Sequence, residues 1–274
     1  MQYTLKKSLG QHFLKDENIC KQIVAALQQH PFEQLVEVGP GAGALTKYLL
    51  PLPSINFKAV ELDDEKVVYL NKTFPAIEGK IIHDDFLNIA PPFEGLFTVV
   101  GNFPYNISSQ ILFKILDWKD QVPVVIGMFQ KEVAQRVAAK EGSKVYGIIS
   151  ILIQAFYHVD YLFDVPPESF NPPPKVVSGV IRLSRKSEML VVKSEKEFKQ
   201  LVKMAFNQRR KMLRNAVRGL FDPEVLVDDF FNQRAEQISI EKFAELTFKM
   251  NTGVKIDRNA EQKEGNTYNT DAAN

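Results

Sequence analysis

The sequence predicts an α/β fold: a mainly parallel sheet covered on both faces, followed by a small all-helical domain. Three observations lead there. Short apolar runs alternate with amphipathic stretches from residue 16 to about residue 140. A glycine turn, GPGAG at 39–43, follows the first apolar run directly. After about residue 187 no strand-like run remains, and apolar residues recur at helical spacing.

Asp16 is placed to cap a helix whose apolar residues are Ile19, Cys20, Ile23, Val24 and Leu27. LVEV (35–38) reads as a buried strand, and the glycine turn leads into a helix carrying Leu45, Tyr48 and Leu49. FKAVEL (57–62) is a second strand, with a helix from Asp63; KIIH (80–83) is a third and LFTVVG (96–101) a fourth. SSQILFKILDW (108–118) is an amphipathic helix with Ser108 as its cap, VPVVIGMF (122–129) a fifth strand, and KEVAQRVAA a helix. The pattern changes after about residue 145. Five prolines in residues 166–174 predict a stiff extended loop, and VVSGVIRL predicts an added antiparallel strand at the sheet edge. Helices are expected at 194–207, 208–220, 223–231 and 239–249. The expected domains are therefore 1–186 and 187–252, with a polar, aperiodic, disordered tail at 253–274.

The 274 residues suffice for a substantial core. One cysteine excludes an internal disulfide framework and suits a reducing compartment. With no leader-like or membrane-spanning apolar run, a cytoplasmic protein is expected. The four histidines are scattered, so no metal site is expected. Net charge is +1, but residues 182–218 carry a local balance of +9 and the remainder −8. Such a block is either a polyanion-binding face or a solvated helix surface. Leu201, Ala205, Met212, Ala216 and Leu220 fall on one stripe, and Lys203, Arg210, Arg214 and Arg218 on another, flanked by Arg209 and Lys211. This is an amphipathic helix pair suited to phosphate contacts, unless Arg210 or Arg214 instead pairs with acids of the sheet domain.

Ligands of open α/β sheets bind beyond the carboxyl ends of the strands. Gly39, Gly41 and Gly43 follow strand one, Glu61 ends strand two, Asp85 follows strand three and Asn102 strand four. The turn also satisfies GxGxxG/A through Gly39, Gly41 and Ala44, so it does not choose between a nicotinamide cofactor and S-adenosyl-L-methionine. Glu61 can accept from both ribose hydroxyls. Asp85 is an acceptor for an adenine amino group or a turn cap, and Asp84 beside it leaves the register open. Asn102, Phe103, Pro104 and Tyr105 decide the matter. An exocyclic amine on an aromatic base is a poor nucleophile because its lone pair is delocalised. Acceptors on both hydrogens release that lone pair. The Asn102 side chain and the Pro104 carbonyl can supply them, with Tyr105 stacking on the base.

KKSLGQHFL (6–14), EVGPGAGALT (37–46), Glu61, DDF (84–86), GNFPYNIS (101–108), FNPPPKVVSGVI (170–181) and FNQRRKMLRN (206–215) occur in the order of the ribosomal RNA adenine N6-dimethyltransferases, which the chain resembles from about residue 5 to 250. The likeness is strongest to the bacterial small-subunit (16S) branch, associated with kasugamycin resistance. It implies a Rossmann-like S-adenosyl-L-methionine-dependent sheet domain. It also implies transfer of two methyls to each of two adjacent adenines in a hairpin near the 3′ end of 16S rRNA, in the small subunit or its precursor, by a monomer. His12, Leu14, Gly39, Gly41, Glu61, Asp85, Phe86 and Asn102 would face the cofactor. Asn102, Pro104 and Tyr105 would act on the base, and Arg209, Arg210, Lys211, Arg214 and Arg218 would contact RNA. His12 stands where many relatives have Asn, and Phe103 where many have Leu or Ile. The alternatives are the large-subunit (23S) methyltransferase of the macrolide-resistance type, a non-catalytic RNA-binding assembly factor, and a nicotinamide dehydrogenase.

Overall fold

The structure, a computed structural model, describes residues 12–251. Residues 6–11 of the N-terminal motif and the tail expected at 253–274 lie outside the described residues. Two compact units are present. One comprises residues up to 135 and 157–186, the other 136–156 and those from 187 onward. The division expected at residue 186 thus needs one change: residues 136–156 belong with the helical unit.

The elements in chain order are β1 (Phe13–Leu14), α1 (Glu17–Leu27), β2 (Gln34–Val38), α2 (Thr46–Leu49), β3 (Asn56–Glu61), α3 (Asp64–Thr73), β4 (Ile81–His83), β5 (Thr98–Asn102), α4 (Ser108–Asp117), β6 (Val124–Gln130), α5 (Lys131–Val137), α6 (Ile148–Gln154), β7 (Tyr157–Val165), β8 (Phe170–Asn171), β9 (Ser178–Arg185), α7 (Glu195–Asn207), α8 (Leu213–Ala216), α9 (Pro223–Leu226) and α10 (Ile240–Thr247). Seven strands form one sheet in the order β4-β3-β2-β5-β6-β9-β7, parallel as far as β6 and antiparallel beyond it. β1 and β8 pair separately, Phe13 opposite Asn171. β2, β5 and β6 are buried almost throughout, as central strands covered on both faces must be. Strand order reverses between β2 and β5, so their carboxyl ends open the crevice where such sheets bind ligands.

Asp16 caps α1, accepting from the backbone N–H groups of Asn18 and Ile19, and the apolar stripe it launches is buried. Other expectations need correction. β9 is antiparallel but is not the edge: β7 lies outside it, held partly by the Tyr157 hydroxyl donating to the Val122 carbonyl at 2.9 Å. The weak alternation of burial along β7 concealed it as a strand. Ser108 does not cap α4 but is its first residue, and its hydroxyl donates to the Tyr105 carbonyl. The helix expected over 208–220 is only the four-residue α8, because the Leu213 N–H donates to the Gln233 carbonyl at 2.8 Å and not to the preceding turn. The expected 223–231 helix is likewise the short α9 followed by a 3₁₀ turn.

Gly127 of β6 has no room for a side chain. A Cβ there would lie 2.5 Å from the Phe103 ring and 2.6 Å from that of Phe129, which meet edge to face. Gly127→Ala is therefore expected to destabilise the sheet unit by about 1–3 kcal/mol through overpacking, read as a lowered denaturation midpoint.

Candidate active site

The cavity at this crevice, about 210 Å³, is lined by strand ends and the loops that follow them. It includes all eight residues expected to face the cofactor, and Pro104 and Tyr105 as well. After β2 the chain turns through Gly39, Gly41 and Gly43, all at positive φ. At Gly41 a Cβ would also lie 2.9 Å from the Phe13 ring, so glycine is required there for two reasons. The Gly41 N–H donates to Glu61 Oε2 at 3.0 Å, and the Asp63 N–H donates to Glu61 Oε1 at 3.0 Å. Both carboxylate oxygens are thus held by backbone donors, with the Leu62 N–H a further, weaker one. Glu61 is buried, and that burial raises its pKa against the opposing pull of its backbone donors.

Asn102 ends β5. Its Nδ2 donates to the His12 backbone carbonyl at 3.0 Å. A carbonyl only accepts, so this bond sets the orientation of the amide and leaves Oδ1 free of that contact. The His12 Nδ1 lies 2.9 Å from the Pro172 carbonyl, which by the same logic places the proton on Nδ1. The His12 ring stacks on Tyr105, with centroids 5.6 Å apart and planes 27° off parallel. The Tyr105 hydroxyl is hydrogen-bonded to Ser178 Oγ, and burial raises its pKa, so the ring stays neutral. Both aromatics at this strand mouth line the cavity, but they differ in role: Tyr105 stacks on His12, whereas the Phe103 ring is buried edge to face against Phe129. The Pro104 carbonyl accepts from the Ile107 N–H at 3.2 Å and keeps one lone pair.

Asp85 caps its own turn: Oδ1 accepts from the Leu87 N–H at 2.9 Å and Oδ2 from Asn88 Nδ2 at 3.3 Å. It lines the cavity all the same, as does exposed Asp84. Phe86 is buried edge-on to Trp118, 5.2 Å between centroids. Leu14 is buried in β1 opposite Phe170.

Sequence reasoning missed Glu37. It lies in the same motif as the glycine turn but on buried β2, and it lines the cavity at 2% exposure. Thr46 Oγ1 donates to its Oε2 at 2.7 Å, and burial pushes its pKa up to about 8. A charged residue inside an otherwise apolar strand run was the available signal. Ser178 and Pro172 were missed too, because only the fold brings the proline loop to Tyr105 and His12.

The basic block is not one face. Arg182 and Arg185 sit on β9, bonded to Asp160 and to the Lys119 and Asp120 carbonyls. Arg209, Arg210 and Lys211 fall in a turn between α7 and α8, so the expected helical stripe is broken there. Arg209 is paired with Glu236 at 3.2 Å, Arg214 is half-buried on α8, and Arg210, Lys211 and Arg218 are exposed. Among the described residues no group of three or more His, Cys, Asp or Glu could hold a metal ion, and no helix is long and apolar enough to cross a membrane.

A glycine turn at the amino end of a helix, a buried acid closing the next strand, and an acceptor amide at the switch point together define a Rossmann-like methyltransferase that uses S-adenosyl-L-methionine. Comparison with known proteins narrows this. The family model described as ribosomal RNA adenine dimethylase matches residues 2–262. The ribosomal RNA small subunit methyltransferase A of Cytophaga hutchinsonii is 50% identical over 246 residues, 88% of this chain and 95% of that relative. Its namesake from Phocaeicola vulgatus is 51% identical over 255 residues, 91% of each chain. The crystal structure of a dimethyladenosine transferase from Plasmodium falciparum superposes with a TM-score of 0.74 at 25% identity, covering 86% of this chain and 96% of that one. The 23S rRNA methyltransferase ErmE shares the fold, with a TM-score of 0.67 at 21% identity and coverage of 87% and 99%. The chain belongs to the ribosomal RNA adenine dimethylase family and is an rRNA adenine dimethyltransferase.

Glu37 makes stability pH-dependent. Between the ordinary value of 4.5 and about 8 the folded state holds a proton that the unfolded chain has lost, so stability falls as pH rises through that window. Glu37→Gln removes the titration. Its denaturation midpoint should gain on that of the wild type steadily from about pH 5 to about pH 8; parallel profiles would show that Glu37 does not hold the proton.

Proposed function

We propose that this chain dimethylates N6 of two adjacent adenines in the 3′-terminal hairpin of 16S rRNA, in the small ribosomal subunit or its precursor. The observation that carries the reading is the Asn102 amide, held through Nδ2 by the His12 carbonyl at the mouth of β5. The names of the relatives that are about half identical to this chain supply the small-subunit assignment.

The cavity residues fit S-adenosyl-L-methionine. Glu61 is a buried carboxylate on the cavity wall, oriented by backbone donors on both oxygens, which suits it to accept from the hydroxyls of a ribose. Gly39 and Gly41 let backbone approach the ligand, with His12, Leu14, Asp85 and Phe86 on the remaining wall. When bound, the cofactor supplies an electrophilic methyl group. The chain's own residues prepare the amine. Asn102 Oδ1 accepts one N6 hydrogen and the second lone pair of the Pro104 carbonyl accepts the other, which draws the nitrogen lone pair out of the ring. Tyr105, clamped by His12 and Ser178, holds the base plane by stacking. Neutral acceptors suffice because the product proton can leave after attack, so neither a strong base nor a metal is needed. Every residue of the cavity wall comes from the sheet unit, and a cytoplasmic setting fits an rRNA substrate.

Methyl transfer to small subunits from cells lacking the modification, followed by mass mapping, tests the reading. Dimethyl label on two adjacent adenines near the 3′ end is expected; label on large-subunit rRNA instead would favour the macrolide-resistance type. Asn102→Ala should lower turnover about 100- to 1000-fold while cofactor affinity, read by calorimetry, falls far less. Glu61→Gln should do the reverse, weakening cofactor binding by roughly 1–3 kcal/mol through loss of charge-assisted hydrogen bonds.

A further inference from the structure

Glu37 has no task in the chemistry above, yet it lines the same cavity as Glu61 and Asn102. It stands on β2, one residue before the strand ends, and is buried. Thr46, the first residue of α2, donates to it twice, from its hydroxyl to Oε2 at 2.7 Å and from its backbone N–H. Both donors favour a carboxylate. Burial, and the charge of Glu61 on β3, oppose one and prevail, holding the group at about 8. The surroundings are one-sided. The other titratable side chains on the wall are His12 before β1, Glu61 at the end of β3, Asp84 and Asp85 after β4, and Tyr105 after β5. Among the described residues no lysine or arginine lines the cavity. Buried Lys66 of α3 lies over the Phe13 ring, 4.8 Å from its centroid, and Lys47, beside Thr46, is paired with Glu17. The buried Cys20 of α1 is neutral, because burial pushes its thiol up to about 12.

We propose that Glu37 senses the charge of the cofactor: it gives its proton to solvent when S-adenosyl-L-methionine occupies the cavity, and keeps it when the demethylated product, S-adenosyl-L-homocysteine, does. This rests on the placement of the cofactor in this cavity. The two ligands differ by one methyl group and one positive charge, since methyl transfer turns a sulfonium into a neutral thioether. A buried acidic wall with no cation of its own is where that difference counts most. An opposite charge within about 4–6 Å favours the ionised form of a carboxylate, enough to bring a group that titrates at about 8 below neutral pH. The two Thr46 donors are already in place to hold the anion that results. Once the charge has left the sulfur, Glu37 takes a proton back and the attraction ends. Glu37 is therefore a specificity residue, favouring exchange of product for fresh cofactor, an exchange that dimethylation requires repeatedly.

The test is calorimetry of the full chain with each ligand, in buffers of different ionisation enthalpy, which counts the protons released on binding. Titrating groups that respond alike to both ligands cancel in the difference between them. At pH 7 the cofactor should release between about half a proton and one proton more than the product. Its affinity should accordingly rise with pH, by up to about tenfold per unit between about pH 6 and pH 8, while that of the product changes little. Glu37→Gln keeps an acceptor for Thr46 but cannot titrate, so it should abolish the difference in proton release and flatten the cofactor's pH profile. Equal proton release for the two ligands in the wild type would overturn the inference, whether or not the variant folds. A difference that persists in Glu37→Gln would overturn it too, by assigning the proton to another group. If Glu61→Gln leaves the affinity of both ligands unchanged, the cofactor does not occupy this cavity, and that placement fails together with the role of Glu37.

Discussion

The hydrogen bond from Asn102 Nδ2 to the His12 carbonyl organises this site. It joins the end of β5 to the segment that precedes α1, and it decides which end of the amide is left for a ligand. The same His12 fixes two further things. Its ring stacks on Tyr105, and its Nδ1 is anchored to the Pro172 carbonyl on the loop before β9. The β1–β8 pair closes beside it, Leu14 opposite Phe170. Three stretches distant in sequence therefore meet around a single residue, His12. A polar group spent on orientation in this way is what allows a neutral amide to serve as a well-placed acceptor.

Electrostatics on the cofactor side follow from burial. Glu37 lies one residue before the end of β2 and Glu61 closes the neighbouring parallel strand β3; burial raises both pKa values, and the charge of Glu61 adds to the cost of ionising Glu37. Glu61 keeps donors from Gly41 and Asp63, whereas Glu37 has the Thr46 hydroxyl. Glu61 is thus the better-solvated anion and Glu37 the natural holder of a proton. A wall of this kind suits a ligand that brings hydroxyl donors and positive charge, as S-adenosyl-L-methionine does.

Much of the sheet was legible because its central strands are continuous apolar runs and its helices carry apolar stripes: LVEV, VPVVIGMF and the Asp16-capped helix all appear where their patterns place them. So did the strand-end positions of Gly39, Glu61 and Asn102, since ligand sites in such sheets follow from topology. Legibility failed where tertiary bonds override local pattern. β7 shows little alternation because it is the edge strand, and the stretch 208–212 leaves the helix once Leu213 donates to Gln233. Ser178 and Pro172 carry no local signal at all, being ordinary residues until the chain folds them onto Tyr105 and His12. Arg209 reads as a surface cation and is in fact half-buried against Glu236.

The central claim is that orientation by His12, and not the mere presence of an oxygen at position 102, makes the acceptor. Asn102→Asp separates the two. The aspartate keeps an acceptor oxygen but has no N–H for the His12 carbonyl, and two acceptors facing each other turn the carboxylate away. Single-turnover methyl transfer at saturating cofactor and small subunit is the measurement. The account predicts a loss of at least about tenfold, the equivalent of one hydrogen bond of roughly 1.4 kcal/mol. A wild-type rate in Asn102→Asp would contradict it.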